Sequence, residues 1–600
     1  MKKIKKTRRI LSAVLAACVF LPAFGLAACN SEKDGEDTTT AEVVVTTEPA
    51  PDPLTVFADG KLNFRIIVPA RASDDVVKAA ADLARNLEKF TGVTCGYDVD
   101  TLVPAADDSY EILVGATDRP QSAEAIKGLK SKDYAMLIDG NKIVLNGPND
   151  QTIARAVNAF VDTVILVQMS SGKNSIVMTA EDSRLAIANY RLKNCTILGA
   201  DISEYSIVYP AAGPFSAKRT AKLLASYLSD KAGVALPVVS DREAAVEHEI
   251  RIGMTTHGGI TASDKLGAYS AKAEGTSLCF GAGNLFGYMN LNTYFTDTLF
   301  VGDNVEIGAD FSFEGDGAPE EEAKFAAERY GEYRVMFFNI LGNCDTSLYP
   351  TQQRNQTAAE TLIALAPDAF GLQECSPNSR GTDSIIKTLA DAGYVEVSVK
   401  PNNSNRVNYT PLIYNKNKFK VIDCGYHLYK DGANDKSKSI TWGVLEDLSN
   451  GKRFAVLSTH FAWKSDAEAA RIQDAKEILE LNNTIKEKYN CPIISGGDLN
   501  CKIASTPYQN MLAGGMQDAM KIAKVSEDIN SWHTYPEYDK TEGLYLKIYR
   551  PTKKYADSID HALIYNGDKV TVNVFDIITL EYALISADHC PVLVDFDIAQ

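Results

Sequence analysis

Six apolar runs in the last 270 or so residues each stop, or start, on polar residues that a buried core has no use for. Arg334 to Phe338 leads into Asn339, Ala369 to Leu372 into Gln373-Glu374, Phe454 to Thr459 into His460, and Pro492 to Gly497 into Asp498-Leu499-Asn500. Two later runs have the reverse polarity: Asp560 opens Ala562 to Tyr565, and Asp588-His589 opens Cys590 to Val594. Continuous apolar stretches of this length read as strands buried in a sheet core. Antiparallel neighbours bring the end of one strand and the start of the next to the same edge. Four strand ends and two strand starts can therefore converge on one sheet edge. Gathering carboxylates, amides and imidazoles there serves a site that holds a hard cation and a phosphate.

The same segments carry a family resemblance. Phe-Asn-Ile at 338–340, Pro-Asp-Ala-Phe-Gly-Leu-Gln-Glu at 367–374, Ser-Thr-His at 458–460, Gly-Asp-Leu-Asn at 497–500, Ile-Asp-His at 559–561 and Ser-Ala-Asp-His-Cys-Pro-Val at 586–592 resemble, in order, the signature blocks of the endonuclease/exonuclease/phosphatase superfamily. No single block is specific; the six in order are. The resemblance implies a four-layer α/β/β/α sandwich over residues 333–600 and a metal-dependent phosphoric ester hydrolase using Mg²⁺, with Mn²⁺ as an alternative cation. It makes Glu374 the central metal carboxylate, with Asn339 and Asp588 beside it. Asp498 would partner the attacking water and Asn500 would hold a phosphate oxygen. His589 would be the acid/base histidine, oriented by Asp560, and His460 would donate to a nonbridging oxygen. The nucleases of the family often carry a basic residue just after the Gln-Glu block, where this chain has Cys375-Ser376. The implied substrates are nucleic acids, nucleotides, phospholipid head groups or sugar phosphates. Asp518 matches a further block and reads as structural. Arg471 and Gln473, on a helix expected over Asp466 to Tyr489, read as fold support. An aromatic-rich segment between Asp528 and Tyr555, including Trp532, His533, Tyr535, Tyr538, Tyr545 and Tyr549, could form a lip over the site.

Upstream, residues 56–189 and 190–318 read as an internal duplication of α/β units. Strand-like Phe64 to Pro69, a helix from Asp74 to Phe90, Thr91-Gly92-Val93, strand-like Glu111 to Thr117 and a helix from Gln151 to Thr163 recur. The second copy has Tyr205 to Pro210, Ala217 to Lys231, Ala232-Gly233-Val234, Glu249 to Thr255 and Leu285 to Asp297. Phe160-Val161-Asp162-Thr163 matches Phe295-Thr296-Asp297-Thr298. The pattern resembles the small non-catalytic N-terminal domain of several glycoside hydrolases, which implies a glycan contact by residues 56–318 or a plain scaffold. The fold class expected for the whole chain is α/β multidomain, with an acidic linker at 319–332 before the sandwich.

The first thirty residues place Lys2, Lys3, Lys5, Lys6, Arg8 and Arg9 before an apolar stretch from Ile10 to Phe24 and end in Leu26-Ala27-Ala28-Cys29. That is a secretory signal over 1–28, and its end resembles a lipobox, which implies export and membrane anchoring through lipid on Cys29. Residues 29–55, rich in Ser, Thr, Glu, Asp and Pro, read as a disordered tether. Cleavage would remove six positive charges from a chain at −17, leaving about −23. Such a surface does not suggest a generic nucleic-acid binder. The eleven cysteines lack CxxC pairs, which argues against structural zinc. The functional expectation is a surface-anchored Mg²⁺-dependent phosphoester hydrolase. The alternative is a glycan-binding surface lipoprotein with a vestigial hydrolase domain.

Overall fold

The computed structural model describes residues 41–44, 50–315, 317, 321–342, 351–381, 384–430, 437–534, 537–539, 544–552 and 554–599. The leader, Cys29 and, within the aromatic segment, Tyr535 lie outside them.

The two upstream units share one strand order. In the first, the order is Tyr97–Val99, Arg65–Val68, Glu111–Val114, Lys142–Asn146, Tyr134–Asp139, Arg184–Ile187; in the second it is Val238–Ser240, Ser206–Tyr209, Glu249–Ile252, Ser277–Ala282, Tyr269–Glu274, Ser312–Gly315. The first four strands of each sheet pair in parallel and the last two antiparallel. The local signals match as well. Helices Asp74–Thr91 and Phe215–Ala232 each stop on a left-handed glycine, Gly92 at φ 71° and Gly233 at φ 72°, which frees the last helical carbonyls for capping. Asn149 and Asn284 cap the second helices. The matched tetrads fall where those helices widen into π turns, Val161–Leu166 and Phe295–Leu299.

Two boundary expectations change. Within the expected tether, the backbone of Ala41–Val44 pairs antiparallel with Arg184–Ile187 at the edge of the first sheet. Its Glu-Val-Val run has the β-branched composition that suits a strand. The expected linker contains a helix, Glu321–Ala327, whose Ala323 and Ala326 are buried against Phe286, Met336 and Leu362. Alanines three apart put one small apolar stripe on a single helical face.

The C-terminal unit is a sandwich of two sheets. One runs Tyr394–Glu396, Leu412–Asn415, Ala369–Gln373, Tyr333–Asn339, Val592–Ile598, Val570–Ile577, Val525–Ser526; the other runs Phe419–Leu428, Ser439–Asp447, Arg453–His460, Ile493–Asp498, Asp560–Tyr565, Gln517–Asp518. Strand alternation explains why the apolar runs are unbroken. Tyr333, Val335 and Phe337 pack between the sheets with Val456, Ile494 and Val594. Met336 and Phe338, pointing the other way, meet the outer helix Thr351–Leu365 through Ala358 and Leu362. On the far side, Ile478 and Ile485 of helix Glu468–Tyr489 cover Leu457 and Ile493. Helix, sheet, sheet and helix make the four layers.

The second upstream unit docks on the outer helices of the sandwich. The Glu360 carboxylate accepts the backbone N–H groups of Phe215 and Ser216 at the start of helix Phe215–Ala232, and Arg219 pairs with Glu581. The eight described cysteines are all free thiols.

Candidate active site

The two sheets divide the polar residues between them. Tyr333–Asn339 is parallel to Ala369–Gln373, with Asn339 opposite Gln373. In the other sheet Arg453–His460 is parallel to Ile493–Asp498, which is antiparallel to Asp560–Tyr565. His460, Asp498 and Asp560 therefore sit in one register row. Parallel neighbours finish at the same edge, so a central parallel pair in each sheet supplies strand ends that antiparallel pairing alone would not. The expectation of a single sheet edge becomes two edges closing on each other.

Glycine allows that closure. A Cβ on Gly371 would stand 2.5 Å from Cβ of Ser458 in the facing sheet. Gly497, at φ 133°, would put a Cβ 2.1 Å from the Thr459 carbonyl oxygen and 2.8 Å from Gln373 Nε2. Any side chain there would push the strand ends apart, which is the steric reason for Gly before Asp498. Two site residues themselves hold left-handed backbone, Glu374 at φ 59° and Asn500 at φ 49°. Such a conformation costs on the order of 1–3 kcal/mol outside glycine, and it turns the chain sharply as each strand ends.

Asp498, 2% exposed, is the hub. Its Oδ2 accepts from Asn339 Nδ2 at 3.0 Å, stands 3.2 Å from His460 Nε2 and lies 3.9 Å from His589 Nε2; Oδ1 accepts from Asn500 N at 2.9 Å. Burial alone would raise this carboxyl. The positive charge of the hydrogen-bonded His460–Lys438 pair and of the His589 imidazole wins, holding it well below the usual carboxylate range. His589 Nδ1 lies 2.8 Å from Asp560 Oδ2, which also accepts from Ser531 Oγ at 2.8 Å. Burial works against a charged His589, but Asp560 and Asp498 outweigh it and push the imidazole well above its ordinary range. Asp560 itself is raised by burial, against the pull of His589. The Asp498 carboxylate thus stands beside the His589 imidazole, whose Nδ1 is held by Asp560 and whose Nε2 is turned away from it.

The other sequence-expected residues fall as follows. Glu374, partly exposed, meets Asn339 Nδ2 at 3.4 Å. Asn339 turns its amide nitrogen to both carboxylates, while its oxygen accepts from Leu341 N at 3.1 Å. Asp588 is not hydrogen-bonded to either; its Oδ1 is buried without a hydrogen-bond partner, 3.9 Å from His589 Nε2. Asn500 donates its amide to Phe461 O at 3.1 Å, tying together the two loops beyond His460 and Asp498. Asp518 accepts from Tyr555 OH and Met520 N, and Arg471 donates to Ala462 O and Lys464 O. His561 is a satisfied core histidine between Tyr555 OH and Cys501 O.

Oxygen donors of the kind a divalent cation takes are present. Glu374 offers a carboxylate with one amide contact, and the unpartnered Asp588 Oδ1 is the kind of orphaned buried oxygen a cation satisfies. Ligand atoms of Asp498, Asp560 and His589 also lie within 4.8 Å of one another. There the His589–Asp560 hydrogen bond already occupies the group.

Ser531 and Lys438 were not found from sequence. Ser531 lies inside the aromatic segment, but one serine carries no signal of its own. Lys438 follows the polar run Asp435-Lys436-Ser437 and reads as a solvated surface lysine, whereas it is 2% exposed with Nζ 2.6 Å from His460 Nε2. Trp532, 46% exposed, pairs its backbone with His589, so the aromatic segment does reach the site there.

No family model and no curated protein matches the chain. Among solved structures, it is similar to an endonuclease/exonuclease/phosphatase family protein from Bacteroides thetaiotaomicron (19% identity, 44% of this chain and 97% of that one, TM-score 0.36). A Bacteroides vulgatus protein of that description is 23% identical over 44% of this chain and 99% of its own, with a TM-score of 0.35. A mannosyl-6-phosphatase from B. thetaiotaomicron is 19% identical over 44% and 99%, with a TM-score of 0.36.

Proposed function

We propose that the chain is a phosphoester hydrolase, exported and lipid-anchored through Cys29, that works with Mg²⁺ at the closed edge of its C-terminal sandwich. The observation that carries the reading is the buried Asp498 carboxylate 3.9 Å from His589 Nε2, with His589 Nδ1 held by Asp560 and Asp560 by Ser531. A carboxylate and an imidazole side by side are the groups that general base and general acid catalysis use.

Asp498 would accept a proton from the attacking water as its oxygen forms the new bond to phosphorus. His589 would give its Nε2 proton to the leaving oxygen as the ester P–O bond breaks, so the charges balance over the step. Asp560 keeps the imidazole turned so that Nε2, not Nδ1, faces the reaction. A Mg²⁺ held by Glu374 and Asp588, with Asn339 beside them, would supply a Lewis acid for a phosphoryl oxygen. Asn339 as assigned presents its nitrogen, so ligation by that residue requires the amide to turn over. The complete acid, base and carboxylate set disfavours the vestigial-domain alternative.

The test is a substrate panel with and without Mg²⁺: double-stranded DNA, RNA, sphingomyelin, phosphoinositides, a sugar phosphate and a chromogenic phosphodiester, with His589→Ala and Glu374→Ala as controls. Turnover that survives both substitutions would remove the mechanism. Loss of palmitate labelling in Cys29→Ser tests the anchor, and glycan-array binding by the full chain tests the role proposed for residues 56–318.

A further inference from the structure

Lys438 immediately precedes the Ser439–Asp447 strand, whose Ile440 stands opposite Thr459 in the strand that ends at His460. That register brings the lysine to the site edge, where its side chain is buried and Nζ lies 2.6 Å from His460 Nε2. An ammonium has three protons and no lone pair. It must donate, the imidazole nitrogen must accept, and the ring proton must sit on Nδ1. His460 then has no Nε2–H to offer a phosphoryl oxygen. Asp498 Oδ2, 3.2 Å from the same nitrogen, takes its hydrogen bond from Asn339 Nδ2 instead.

Burying an ammonium is costly unless charge and hydrogen bonds compensate it. A methionine would fill the same length without that cost. The cation stands where a phosphoester would bring negative oxygens, and it is among the groups that hold Asp498 below its usual range. We infer that Lys438 is the oxyanion-binding cation of this site, parked on His460 Nε2 and transferring that hydrogen bond to a phosphoryl oxygen when substrate enters. His460 is accordingly its acceptor and positioning residue rather than a donor to phosphate. The inference rests on the phosphoester reading and assigns a residue that neither motif nor charge pattern indicates.

The experiment uses the full chain with ¹⁵N-labelled histidine, Lys438→Met and Lys438→Arg. Binding of inorganic phosphate and orthovanadate is followed by calorimetry, turnover by phosphodiester hydrolysis, and the His460 tautomer by its ¹⁵N shifts, assigned with His460→Gln. The inference expects an unprotonated, hydrogen-bonded Nε2 in the native protein and a changed Nε2 shift in Lys438→Met. It expects vanadate binding weakened about tenfold or more, with partial recovery in Lys438→Arg, and kcat lowered by about 10²–10³. Folded Lys438→Met with native vanadate affinity and native kcat overturns it. If Lys438→Met does not fold, a protonated Nε2 in the native protein overturns it and an unprotonated one supports it. A native chain that binds vanadate through Lys438 yet cleaves no phosphoester would overturn the hydrolase reading and leave this one standing.

Discussion

Buried charge is handled in two ways in this molecule. At the start of the Glu111–Val114 strand, Glu111 is fully buried, and its oxygens receive Arg119 Nη2 at 3.0 Å, Arg119 Nε at 3.1 Å and Lys142 Nζ at 3.1 Å. Its counterpart Glu249 takes Arg251 Nε at 2.7 Å and stands 2.9 Å from His257 Nδ1, which is also eight residues downstream. Burial would raise the Glu111 carboxyl, but the hydrogen bonds from Arg119 and Lys142 keep it below the usual range. Every oxygen is answered, so the network is closed. At the sandwich edge Glu374, Asp498, Asp560 and Asp588 face two imidazoles and Lys438, and one Asp588 oxygen has no hydrogen-bond partner. A closed network fixes strand ends; an open one keeps valences for a ligand.

The contrast can be broken at either end. The largest effect expected is at the open network. Asp560→Asn leaves His589 mis-oriented and should lower kcat by about 10³–10⁴-fold, as other carboxylate–imidazole pairs do, with little change in the calorimetric unfolding profile. Glu111→Gln should do the opposite. Removing one partner of a closed buried pair costs about 3–5 kcal/mol, so scanning calorimetry should show an earlier N-terminal transition while kcat/KM stays native. Equal effects of both substitutions on both readouts would erase the distinction.

A third, smaller effect lies between the units. The Glu360 carboxyl, pushed up to about 7 by burial despite the helix start it caps, resists ionisation in the folded state. Because its folded pKa lies above the unfolded value, its stabilisation is complete below about pH 4.5 and lost as pH rises through about 7. Native protein should lose on the order of 1–2 kcal/mol of stability between pH 5 and 8 relative to Glu360→Gln, measured as the difference in Tm against pH. The smallest effect on rate is Ser531→Ala, which removes the hydrogen bond to Asp560 Oδ2 and those that Ser531 Oγ accepts from Ile559 N and Asp560 N, each worth about 1 kcal/mol, and should lower kcat by less than tenfold with KM unchanged.

The sequence made the strand ends legible because buried strands cannot hide a polar residue. Asn339, His460, Asp498 and Asp560 each interrupt an apolar run, and they converge. The two-sheet arrangement came only through the family resemblance, since periodicity does not say which runs pair in parallel. The N-terminal plan was visible in Gly92 and Gly233 and in the matched tetrads, whose π geometry no residue pattern announced. Lys438 and Ser531 stayed hidden for a different reason. Lysine and serine in polar segments look solvated until tertiary contacts bury them. The docked helix Glu321–Ala327 was missed because its acidic first turn outweighed two inward alanines.

The most direct test is the rate of chromogenic phosphodiester cleavage by the native chain and Asp498→Asn across a Mg²⁺ titration. The account predicts a Mg²⁺-dependent rate in the native protein that Asp498→Asn loses by at least about 10³-fold at every Mg²⁺ concentration, while its fold is retained. A folded Asp498→Asn protein that cleaves at the native rate would contradict it.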